Sequence, residues 1–137
     1  MGPVLALDVG TQVIGVAVSD PGRRFVFPVH TLARRSVAKD TDALARLCRE
    51  KGVTQLVVGL ALDEAGHEGR VAKLARQVGD ALAAKTGLPL AYVDERYTTA
   101  EARQRLDEGG VPRGLQRAVV DQQAAMVMLE EWLARSG

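Results

Sequence analysis

Three carboxylates in this chain stand where an unpaired acid would be costly. Asp8 interrupts the apolar run VLALDVG, with Gly10 two residues on. Glu95 closes LPLAYVDE, next to Asp94. Asp121 shares a spacing with Ala124, Ala125, Met128 and Trp132 that sets it on the apolar, core-facing side of a helix. A carboxylate withdrawn from water is expensive unless it is paired or binds a metal. Three at short range repel one another and raise each other's pKa. Divalent cations remove that conflict, and Mg²⁺ and Mn²⁺ prefer oxygen ligands. One or two such ions, about 3.5–4 Å apart when paired, activate water and stabilise the leaving oxygen of a phosphodiester. The plainer reading is that each acid caps a turn or pairs with an arginine. Three acids at these positions weigh against it. Asp94 and Glu95 cannot both face one site on a strand, because neighbours alternate, and Glu95 is the candidate.

The elements that must position these acids follow from the apolar pattern. VLALDVG is apolar almost throughout, as a strand buried on both faces should be. VIGVAVSD follows after Gly10-Thr11-Gln12, close enough to pair antiparallel. RFVFPVHTL is a third strand, and Pro28 predicts a sheet edge. A helix is expected from Ser36 as N-cap to Gly52, with Leu44, Leu47 and Cys48 on one face. TQLVVGLAL is the fourth strand and DEAGHEG a polar loop. A second helix is expected over Glu68–Thr86, with Val71, Leu74, Ala75, Val78, Ala81 and Leu82 as its stripe. LPLAYVDER is the fifth strand. Thr98 and Glu101 form a capping-box pattern for a third helix ending at Gly109 and Gly110. VPRGLQR reads as a basic connection, and a last helix runs from Leu115 or Gln116 to about Arg135. This order predicts a mixed α/β sheet flanked by helices, with strands one, four and five parallel. Functional groups then gather at the carboxyl ends of those strands.

Composition bounds the function classes. The length of 137 residues fits one domain, 1–137. Net charge is +1, which neither advertises nor excludes a nucleic-acid partner. The lone cysteine, Cys48, rules out an intrachain disulfide and reads as a buried apolar group. No signal peptide precedes the first strand and no apolar run approaches a membrane span, so a cytoplasmic location and no membrane partner are expected.

Three segments, ALDVGTQVIGVAVSD, VDERYTTAEA and VVDQQAAMVMLEEWL, resemble the YqgF family, also called RuvX, and the resemblance covers nearly the whole chain. It implies an RNase H-like, RuvC-type fold with five strands. It also implies a nuclease using one or two Mg²⁺ or Mn²⁺ ions, with Asp8, Glu95 and Asp121 as catalytic and metal-binding residues. Two activities are attached to that family: resolution of branched DNA (Holliday junctions) and 5′-end maturation of precursor small-subunit rRNA. By analogy with resolvases, which usually act as dimers because a four-way junction needs two cuts, the resemblance implies a homodimer. The sequence departs from the family pattern in two places: Gln12-Val13 stands where a Lys-Arg pair is common, and ALDEAGHEG lacks an expected Asn. Unlike the related RuvC resolvases, no carboxylate directly ends strand four, which leaves that ligand to Glu95.

Contacts to nucleic acid are expected from Gly10 and Thr11 at the first turn, from Arg96 beside Glu95, and from Arg113 and Arg117 near the start of the Asp121 helix. His67 is expected in an exposed loop, and Trp132 as a core anchor. Two readings from other classes stay open. Actin-like and sugar-kinase-like phosphotransferases also carry Asp-x-Gly-Thr, but bind ATP between two such domains. A noncatalytic ribosome or nucleic-acid-binding factor on a nuclease-like fold would bind without needing Asp8.

Overall fold

The computed structural model describes residues 1–63, 65–94 and 113–136. Side chains are described throughout these ranges except at 113–122 and 136. The strands are β1 (Val4–Val9), β2 (Val13–Ser19), β3 (Val26–Ala33), β4 (Gln55–Leu60) and β5 (Leu90–Asp94). The helices are α1 (Val37–Lys51), α2 (Arg70–Thr86) and α3 (Arg113–Ser136). They form one five-stranded sheet in the order β3-β2-β1-β4-β5. β2 runs antiparallel to β1 and β3, while β1, β4 and β5 are parallel as expected. Pro28 lies in β3 at the sheet edge, where its missing N–H leaves no ladder bond unmade.

The alternation of β1 assigns its residues to two cores. Leu5, Leu7 and Val9 join Leu44, Ala45 and Cys48 of α1 and Ala72, Ala75, Val78 and Leu82 of α2. Val4 and Ala6 join Ala125, Met128 and Leu129 of α3 on the opposite face. Trp132 packs, half-buried, against this second cluster, as its spacing predicts. Cys48 is buried on the first face.

Helix ends follow local chemistry. The Ser36 side chain accepts the Lys39 N–H at 3.1 Å, and Gly52 closes α1 at φ 66°, a left-handed turn that favours glycine. α2 begins at Arg70, not Glu68. Gly69 is its N-cap, and Glu68 bridges back to Leu62 instead. Its buried line is Ala72, Ala75, Val78, Gly79 and Leu82, with Val71, Leu74 and Ala81 on the flanks. The small residues at the centre let α2 approach the sheet closely. α3 begins at Arg113, so the VPRGLQR segment is helical from its third residue. The capping-box helix expected after Thr98 lies outside the described residues. No helix among the described residues is long and apolar enough to cross a membrane.

Candidate active site

Asp8 sits near the carboxyl end of β1, half-buried. It continues the Val4–Ala6 side of the strand, the α3 face. Gly15 is its partner across β2. On the other side, β1 pairs with β4 up to Leu7–Val58, and the next residue of β4 is Gly59. Gly59 pairs with Val93, which packs on the α3 face. Gly15 thus gives Asp8 a neighbour without a side chain on the β2 side.

The turn after Asp8 is held tightly. The Gly10 N–H donates to the Val13 carbonyl at 2.9 Å, and a Cβ at Gly10 would stand 3.0 Å from that oxygen. A side chain at this position would crowd the turn. Arg34 fastens the turn from outside. Its Nη1 donates to the Gly10 carbonyl at 3.1 Å and its backbone N–H to the Gln12 carbonyl at 2.9 Å. Its Nε donates to Asp40 Oδ2 at 2.7 Å. Asp40, in the first turn of α1, is fully buried. It also accepts the Arg35 backbone N–H at 3.2 Å. The arrangement shields a charge pair from water while meeting its hydrogen bonds.

The remaining candidates divide. Thr11 is exposed on the turn beside Asp8. Asp121, Arg113 and Arg117 all lie in α3, with Asp121 one turn before the buried Ala125; their side chains are outside the description. Glu95 and Arg96 lie outside the described residues, directly after β5. Among the described residues no three potential metal ligands come together. His67 is exposed, as expected, and its loop is shaped by Asp63, whose Oδ1 accepts the His67 N–H at 2.8 Å.

Sequence reasoning missed the cations near the turn. Arg34, Arg35, Arg70 and Lys73 line one groove together with Thr11. The two pairs are far apart in sequence and meet because α1 packs against α2. Two basic pairs, one ahead of an N-cap and one at a helix start, were the available signal.

A family model described as RuvX, Holliday junction resolvase, matches residues 2–135. The chain belongs to the RuvX family. A relative from Anaeromyxobacter sp. (strain K), named "Putative pre-16S rRNA nuclease", is 42% identical over 131 residues, 96% of each chain. One of the same name from Frankia casuarinae is 42% identical over 92% of this chain, which spans only 63% of that relative's length. In fold, the molecule is similar to RuvC of T. thermophilus bound to a Holliday junction substrate. The TM-score is 0.62 with 14% identity, over 100% of this chain and 97% of that one. RuvX membership and the mixed five-stranded sheet agree with the RNase H-like fold expected from the sequence.

Proposed function

We propose that the 137 residues act as one divalent-metal-dependent nuclease domain that hydrolyses phosphodiester bonds in structured nucleic acid. Membership of a family of Holliday junction resolvases makes the chain a nuclease. The observation that carries the site is Asp8, an acid near the carboxyl end of a parallel strand, opposite Gly15. Asp121 continues the Ala125–Met128 stripe of α3 by one turn, and that stripe packs on the face to which Asp8 belongs. Glu95, which follows β5 directly, is proposed as the third ligand on the family resemblance.

A carboxylate set of this kind fits hard divalent cations, Mg²⁺ or Mn²⁺, one or two. When bound, they supply Lewis-acid stabilisation of phosphoryl oxygens and lower the pKa of water. The chain's residues do the rest. Asp8, Glu95 and Asp121 would hold the cations. The Gly10 turn, fixed by Arg34, sets the position of Asp8 relative to the strand end. Thr11, Arg96, Arg113 and Arg117 would hold the phosphate backbone.

The substrate we favour is the 5′ end of precursor small-subunit rRNA, on the name carried by the relative that matches along 96% of both lengths. Branched DNA is the second reading, favoured by the family description and the RuvC-like fold. A four-way junction offers two strands to cut and would call for a homodimer. A precursor rRNA end needs one copy.

The test is Mg²⁺- and Mn²⁺-dependent cleavage of a precursor rRNA fragment and a four-way DNA junction, by wild type and Asp8→Asn. The expected outcome is metal-dependent cleavage, reduced at least ~100-fold in the variant, the scale on which loss of a transition-state contact acts. Equal cleavage by both proteins, or none by folded wild type, would move the chain to the noncatalytic binding class. Sedimentation of the protein with each substrate reads the number of copies.

A further inference from the structure

Beside the turn that follows β1 lies a groove of about 650 Å³. Thr11 lines it from the turn, Arg34 and Arg35 from the entry to α1, and Gly69, Arg70 and Lys73 from the start of α2. Among the described residues no acidic side chain lines it. Asp40, buried beneath, faces Arg34 at 2.7 Å and Arg35 Nε at 3.9 Å. Glu68, paired with Arg76, also acts on Lys73, so two carboxylates stand against the four lining cations and the wall stays net positive. Arg35 remains half-exposed, and Arg70 and Lys73 are exposed.

The start of α2 adds to this. Its N-cap, Gly69, brings no side-chain acceptor, and its first turn holds no acid. Arg70 and Lys73 place cations at the positive end of the helix dipole, the reverse of the favourable arrangement. A folded chain that keeps this combination holds an anion there to advantage. One anion would meet free helix N–H groups and the guanidinium forks together.

We infer that this groove is a backbone-phosphate subsite that grips a nucleic-acid strand beside the acidic edge of the sheet. Thr11, three residues after Asp8, ties the groove to the same carboxyl edge of the sheet, with the groove on the α1–α2 side and Asp8 on the α3 side. Arginine matches phosphate bidentately and without regard to base, which suits recognition of a backbone. Lys-Arg is absent from the first turn of this chain, and the groove supplies that positive charge from α1 and α2 instead. The inference rests on the nuclease reading for which polymer is held, and on the groove alone for where.

The test is binding without metal, in EDTA, where cleavage is silent. Fluorescence anisotropy of an end-labelled single-stranded RNA and a labelled four-way DNA junction is followed against salt. Arg70→Gln/Lys73→Gln is expected to weaken binding about tenfold or more. It should also flatten the slope of log K against log salt by about 0.7 per lost contact on the single strand, or about 0.9 on duplex. Arg46→Gln, on α1 away from the groove, should change neither. The double variant removes like charges from a helix start, so its thermal midpoint should hold or rise, separating lost grip from lost fold. Unchanged affinity and slope in the double variant overturn the inference. So does competition by inorganic phosphate as strong as by oligonucleotide at equal phosphate concentration, which would mark a site for free phosphate. Cleavage on the same variants separates the two readings. Wild type that binds through the groove but cuts nothing sinks the nuclease reading alone. Metal-dependent cleavage with unchanged KM in the double variant sinks the groove alone.

Discussion

Arg34 joins three parts of the chain through one side chain: the turn after β1, the entry to α1, and the buried carboxylate of Asp40. Its side chain is only 11% exposed and Asp40 is fully buried. Removing either partner leaves a charge without compensation. Asp40→Ala should therefore cost about 3–5 kcal/mol, read by urea unfolding. A cost under about 1 kcal/mol would mean that water reaches Arg34 and replaces the carboxylate. The two acids also show what a sequence discloses. Asp8 was legible because its type conflicts with the run around it. Asp40 was not, since an acid in a first helical turn looks like ordinary dipole compensation in SVAKDTDALARLC. Its burial depends on Arg34 folding back across a strand end, which no local pattern encodes.

Element by element, the ends written in local chemistry were readable. Ser36 and Gly52 bound α1 as their types predict. The start of α2 was displaced because Glu68 is drawn away, pairing with Arg76 through two hydrogen bonds of 2.6 and 2.8 Å. Arg76 in turn lies over the Tyr92 ring at 4.7 Å from its centre, and the Tyr92 hydroxyl donates to Asp80 at 2.6 Å. This cluster fastens α2 to the edge strand β5 and explains Gly79. A Cβ there would come within 2.7 Å of the Tyr92 hydroxyl oxygen. In an open helix, glycine to alanine gains up to ~1 kcal/mol. Here Gly79→Ala should instead destabilise by about 1–3 kcal/mol. Tyr92→Phe alone should cost about 1 kcal/mol for its lost hydrogen bond. Combined, the two should cost less than their sum, because the oxygen that clashes is gone. Additive costs in a double-mutant cycle would place the strain elsewhere.

At the level of the whole molecule, strand order was legible because buried parallel strands read as unbroken apolar runs. Antiparallel β2 follows β1 too closely to do anything but return. The groove was not legible, because it exists only where α1 meets α2. Cys48 reports on the integrity of the whole. Burial pushes its thiol up to about 11 from an ordinary 9.0. The unfolded chain loses that proton first, so stability should fall as pH rises from about 9 to about 11. Denaturant midpoints across that window check it, and Cys48→Ala should flatten the slope there. The thiol should also resist modification at neutral pH until the protein unfolds. The Arg34 fastening has a consequence for where a nucleic-acid chain is cut. The same side chain lines the groove and ties down the turn that follows Asp8. If the groove grips the strand and Asp8 holds the metal, one side chain ties grip to blade, and the cut is expected at a constant offset from the gripped phosphate, whatever the bases between.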